Sequence, residues 1–140
     1  MILLTPDLRQ QLRTNAVLRE MHLARDLAAP DPIPAIKLFN PCGAATWLAT
    51  ELGRDDDTLF GLADLGFGCP ELGSFSLSEI ASVRLPFGLG IERDLHFVGR
   101  VPLSVWSNQA RRSGSILLAE AALRSLARTP PGDELPTAPD

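Results

Sequence analysis

Lysine is almost missing from this chain. Lys37 is the single lysine, and arginine supplies the other twelve of the thirteen basic residues. Acidic residues outnumber basic ones seventeen to thirteen, giving a formal net charge of -4 and a pI of about 5.1. That balance argues against a general nucleic-acid binder, which needs a basic face to displace counterions. Tyrosine is absent, and only two cysteines, Cys42 and Cys69, and two histidines, His22 and His96, are present. Two cysteines in turn-like settings make no disulfide framework, and too few Cys and His exist for the usual zinc spacings. Free thiols, no metal and no cofactor are therefore expected. No window approaches the roughly 20 apolar residues of a membrane span. The start, Met1-Ile2-Leu3-Leu4-Thr5-Pro6, has neither the basic flank nor the apolar length of a secretory signal. A cytoplasmic location with no membrane partner is the expectation.

What is present is a chain of 140 residues, 45% hydrophobic and 21% charged. That fits one globular domain able to bury a core. Thr5 and Pro6 predict a helix start, because Thr caps well and Pro fits the first helical position. Asn15 is a plausible stop through the left-handed conformation. A second helix is expected over 16–28, with Val17, Met21, Ala24 and Ala28 as its stripe. Prolines at 30, 32 and 34 end it. Three runs with strand character follow at 35–39, 46–52 and 59–65, joined by short polar turns, and a short fourth at 71–75. Ser76-Leu77-Ser78-Glu79 has the form of a capping box opening a helix to about Arg84. Residues 91–98 read in part as a strand. Helices are expected from Pro102 to Gly114 and over 115–128. The end, 129–140, carries four prolines and three acids and reads as a disordered tail.

This order predicts an α+β domain over 1–115, a helical extension over 116–128 and the tail. Its antiparallel sheet of four or five strands is expected to be covered on one face by helices from both ends of the chain. That face is expected to bury Trp47, Leu48, Phe60 and Leu62.

Chemistry-bearing motifs are few. Gly61, Gly66, Gly68 and Gly73 match neither a dinucleotide fingerprint nor a phosphate loop. Asp55-Asp56-Asp57 lacks the ligand spacing and central glycine of a calcium loop. Carboxylates stand in or beside expected strands at Glu51, Asp64, Glu71, Glu92 and Asp94. Strands are about 5 Å apart, so Glu51 and Asp64 could approach one another. In a strand, Glu92, Asp94 and His96 share a face. These residues with Lys37 form the candidate polar site. The competing reading is ion pairing at strand ends, to Lys37, Arg93 or Arg100. Ser76 and Ser78 are needed as caps, and Trp47 and Trp106 are expected core anchors.

Several stretches taken in order carry a resemblance. They are Pro34-Ala35-Ile36-Lys37-Leu38-Phe39, Ala45-Thr46-Trp47-Leu48-Ala49-Thr50-Glu51-Leu52 and Phe60-Gly61-Leu62-Ala63-Asp64-Leu65-Gly66, then Pro70-Glu71-Leu72-Gly73, Ser76-Leu77-Ser78-Glu79-Ile80 and Ile91-Glu92-Arg93-Asp94. From about Leu3 to Gly114 the chain resembles a bacterial family catalogued as domain of unknown function 2958. The resemblance implies a small protein of plasmids, integrative elements and phages, often encoded near conjugation or antirestriction genes. It assigns no catalytic residue. Two functions are expected from these readings. One is a mobile-element accessory protein that binds a host protein, such as a CRISPR effector or restriction enzyme. The other is a small carboxylate- and metal-dependent hydrolase or nuclease-like enzyme.

Overall fold

A computed structural model describes residues 1–128; the expected tail over 129–140 lies outside the described residues. Helix α1 (Pro6–Ala24) precedes strands β1 (Ile36–Phe39), β2 (Thr46–Leu52), β3 (Thr58–Asp64) and β4 (Glu71–Ser76). Helix α2 (Leu77–Ala81), a short 3₁₀ turn, strand β5 (Glu92–Arg93), α3 (Leu103–Ser113) and α4 (Ile116–Arg128) complete the order. The five strands form one antiparallel sheet in the order β4-β3-β2-β1-β5. The α+β class and the hairpin succession expected from the sequence are both present.

The expected pair of N-terminal helices is one continuous helix. Thr5 caps it as expected, its hydroxyl accepting from the Leu8 N–H at 3.2 Å. Asn15 does not turn left-handed, because its amide is employed elsewhere: Nδ2 donates to the Thr50 carbonyl at 2.9 Å. β2 carries a bulge between Ala49 and Glu51, and β1 pairs no further than Ile36–Ala49. Thr50 is therefore left outside the ladder, and the Asn15 side chain supplies the donor that a strand cannot. The left-handed stop falls instead at Asp26 (φ 57°). There Leu27 N–H donates to His22 O and Asp26 N–H to Leu23 O, the two bonds of a Schellman cap. The stripe Val17, Met21, Ala24, Ala28 points outward. α1 buries Leu12 and Ala16, and Val17 and Met21 are exposed.

Helices cover both faces of the sheet rather than one. β2 is buried at all seven positions, the pattern of a strand roofed on both sides. Trp47 joins Leu12, Ile36, Leu38, Ala49, Leu52, Leu59 and Ile80 on the first face. Its neighbour Leu48 joins Leu62, Leu103, Trp106, Ile116 and Leu123 on the second, with Phe60 against it. Successive strand residues alternate faces, so Trp47 and Leu48 cannot share one. Both tryptophans are core anchors as expected, and Trp106 Nε1 donates to Gly99 O at 2.7 Å. Gly114, at φ 90°, turns α3 into α4, and the two pack as a hairpin over the second face.

The remaining departures are local. α2 stops at Ala81, short of Arg84, and β5 keeps only two of the expected residues 91–98. Asp94 accepts the His96 backbone N–H at 2.9 Å through its side chain. That local turn competes with the ladder and ends the strand.

Candidate functional site

Of the seven candidate residues, the structure brings Lys37 and Asp94 together and leaves the other five apart. Lys37, on the second face of β1, points under α4. Its Nζ donates to Glu120 Oε1 at 2.7 Å and lies 3.4 Å from Asp94 Oδ2. Glu120 Oε2 is 3.6 Å from Arg124 one turn later, and the Phe39 ring centroid is 6.0 Å from the ammonium. Beside this cluster is a cavity of about 300 Å³ lined by Lys37, Phe39, Asn40, Thr46, Asp94 and Leu117. Lys37 and Asp94 are thus brought together, as the ion-pair reading expected. Their third member, Glu120, was not among the residues the sequence singled out. Its signal was its place beside the apolar stripe Ile116, Ala119, Leu123.

Asp64 ends β3 and is buried. One carboxylate oxygen accepts from Gly66 N–H and the other from Ile116 N–H, each at 2.9 Å. The second bond places a carboxylate at the N-terminus of α4, where helix-end donors lack partners and the dipole favours negative charge. Glu51 stands at the opposite end of the same hairpin. Register pairs Glu51 with Phe60 and Asp64 with Thr46. The two carboxylates are therefore four β3 positions apart, about 13 Å. They do not form the pair that the sequence allowed, because both sit at hairpin ends and the ends are opposite ones. Glu51 instead accepts from Arg19 Nε of α1 at 2.7 Å, beside a cavity of about 280 Å³ that Ala16, Phe60 and Ser74 also line.

Glu92 lies in β5 opposite Phe39. His96 is exposed beyond the strand end, so Glu92, Asp94 and His96 do not line one strand face. Arg93 donates to the Ile2 and Leu3 carbonyls at 3.1 and 2.7 Å, tying down the N-terminal arm in place of pairing with an acid. Glu71 is exposed, and its carboxylate makes no hydrogen bond or ion pair among the described residues. Among those residues no three His, Cys, Asp or Glu side chains are grouped to hold a metal ion. Cys42 and Cys69 are free and exposed.

The acidic loop is more than solvated. Asp55 accepts the Thr58 hydroxyl at 2.5 Å and the Asp57 and Thr58 N–H groups at 3.0 and 2.8 Å. The Thr58 hydroxyl, with these backbone donors, holds the Asp55 carboxyl down to about 2. Asp57 accepts from the Ser76 hydroxyl and the Ser78 N–H, both at 2.7 Å, and these donors lower its pKa too. Ser76 in turn accepts from Glu79 N–H at 3.1 Å. The Ser76 half of the capping box read from the sequence is therefore present, with Asp57 as an additional member contributed by the β2–β3 turn. Asp56 pairs with Arg9 at 2.7 Å.

Chemically, this arrangement gives each buried candidate a structural partner. Asp64 caps a helix, Lys37 clamps α4 to the sheet, and Glu51 anchors α1. None of the described helices is long and apolar enough to cross a membrane. No curated protein and no solved structure matches the chain. The family model described as protein of unknown function (DUF2958) matches residues 3–117, and the chain belongs to that family.

Proposed function

We propose that this domain acts by binding another protein. The observation that carries the reading is the employment of its buried polar residues. Lys37, Glu51 and Asp64 each hold a helix onto the sheet, which leaves, among the described residues, no convergent set of free acid, base and nucleophile of the kind an active site needs. The acidic balance of the chain suits a basic partner surface, where complementary charge speeds encounter. The narrower reading is an accessory protein of bacterial mobile elements that inhibits a host defence complex. It draws on the family resemblance alone.

Tagged full-length protein, incubated with lysate of a host strain and resolved by size exclusion, is expected to run with one partner in stoichiometric amount. Recovery of the domain free at every concentration overturns the reading. The hydrolase alternative would require Mg²⁺ to raise the unfolding temperature in a saturable way. It would also require Asp64→Asn to remove that shift. Neither is expected, since Asp64 spends both oxygens on backbone N–H groups.

A further inference from the structure

The sheet has two edges of opposite character. β5 is two residues long, and Met1 Sδ lies 3.1 Å from the Arg93 backbone nitrogen, so that edge is short and capped. β4 is six residues long and, among the described residues, pairs only with β3. Among the described residues, no backbone group of Glu71–Phe75 bonds to anything on its outer side. Natural edges are usually protected by lysine, proline, a bulge or a covering element. The β4 segment, Glu-Leu-Gly-Ser-Phe-Ser, has no lysine or proline, and its register with β3 is unbroken.

Two depressions flank this edge on the first face of the sheet. Glu71 and Phe75 point to that face, since they pair with Ala63 and Leu59. Beside Glu71 is a depression of about 250 Å³ lined by Ala63, Leu65, Phe67 and Cys69, with Phe67 84% exposed. Beside Phe75 is one of about 340 Å³ lined by Trp47, Ile80 and Val83 with Glu79 at its rim. The two are four strand positions apart, about 13 Å.

We infer that β4 accepts an extended segment of a partner protein as a sixth strand, with a basic residue opposite Glu71 and an apolar residue opposite Phe75. Unpaired backbone groups along a strand select an extended backbone. Among the described residues Glu71 has no ion-pair partner, and a basic side chain can lay its stem over Leu65 and Phe67 while its head meets the carboxylate. A second copy of this chain fits less well. β4 carries no basic residue for Glu71, and its glycine and serines are weak strand formers, so a β4–β4 pair joins two poor strands. An antiparallel addition, matching the rest of the sheet, reads apolar-x-x-x-basic along the incoming segment.

This inference deepens the protein-binding reading and rests on it. The test uses a phage-displayed library of random dodecamers selected on immobilised full-length protein. Selected peptides are expected to share an apolar residue four positions before Lys or Arg. A synthetic selected peptide is expected to slow hydrogen exchange within Glu71–Ser76. Methylating alternate backbone nitrogens of that peptide is expected to abolish binding. Glu71→Lys, a surface change, is expected to weaken it about fivefold, the upper range for an exposed ion pair. Absence of enriched peptides, enrichment without the basic residue, or protection elsewhere overturns the inference. So does concentration-dependent dimerisation that protects β4, which assigns the edge to a second copy. If the lysate partner binds equally with β4 occupied by saturating peptide, the edge assignment falls and the protein-binding reading stands. If peptides bind β4 but no lysate partner exists, the edge assignment stands and the cellular reading falls.

Discussion

The two faces of the sheet are roofed in different ways. The first face gathers its core from across the chain: Leu3 and Leu4 of the N-terminal arm, Leu12 of α1, Ile80 of α2 and Ile91 before β5. The second is covered by one helical hairpin, Leu103 to Leu123, whose residues are neighbours in sequence. α1 is connected at both ends, to an arm held by Arg93 and to β1, and it is tied to the sheet by the Asn15 amide on the Thr50 carbonyl and by the Arg19–Glu51 pair. α4 is the last element described, and it is fastened at its N-terminus by Asp64 and one turn on by Lys37. A roof tethered at several points in the chain opens piecemeal. A hairpin that packs as a unit can lift as a unit, and buried ionic latches hold it down.

The comparison is broken most severely by emptying either core. Trp106→Ala removes the anchor of the second face and one of the two donors to Gly99 O; a loss of about 3–5 kcal/mol is expected in urea unfolding. Leu12→Ala is expected to cost about 2–5 kcal/mol on the first face.

A sharper probe separates the latch from the packing. Lys37→Met strands Glu120 and Asp94 under α4 and is expected to cost about 3 kcal/mol. Adding Glu120→Leu is expected to recover most of that, because an apolar pair can replace a buried ion pair at little net cost. A double-mutant cycle in urea reads the coupling; strict additivity would show that the latch contributes nothing.

Asp64→Ala and Asn15→Ala test the fastening of each roof in turn. Losing Asp64 leaves the Ile116 and Gly66 N–H groups unpaired, and about 2 kcal/mol is expected. Hydrogen exchange should accelerate first in α4. Losing the Asn15 bond to Thr50 is expected to cost about 1 kcal/mol, with exchange faster along α1 and the β2 bulge. Uniform acceleration in both variants would mean that the roofs do not open separately.

The smallest effect concerns the β2–β3 turn, which holds α1 and α2 on the first face. Asp55 is held at about 2 and Asp57 is lowered, against about 3.9 for a free aspartate. A carboxyl whose folded pKa lies below its unfolded value stabilises the fold above the unfolded value. That stability is lost as pH falls through the folded one. Thermal unfolding should therefore lose stability between about pH 4 and pH 2, and Asp55→Asn should flatten part of that slope. An unchanged slope in the variant refutes the role of this carboxylate.

Much of the fold was legible because it is written in local chemistry. Thr5-Pro6 starts a helix, Ser76 to Glu79 caps one, and Gly114 ends one, each through bonds made within a few residues. Gly61 carried a further signal: a lone glycine inside a strand marks close backbone approach. A Cβ there would lie 1.8 Å from Leu48 O, across from the β2 bulge. The candidate site was less legible. Lys37 was found, but Glu120, 83 residues away, could not be paired with it from the sequence. Glu51 and Asp64 were rightly placed at strand ends, yet which ends meet depends on register.

By itself the sequence determined where most elements begin, the α+β class and which residue types seek burial, because capping, turn geometry and side-chain alternation act over one to four residues. Only the tertiary structure decided that both faces are roofed, that Asn15 serves Thr50 and not a helix stop, and that the buried charges act as latches. Those outcomes depend on groups brought together from distant parts of the chain, and no local preference encodes which distant partner a side chain will meet.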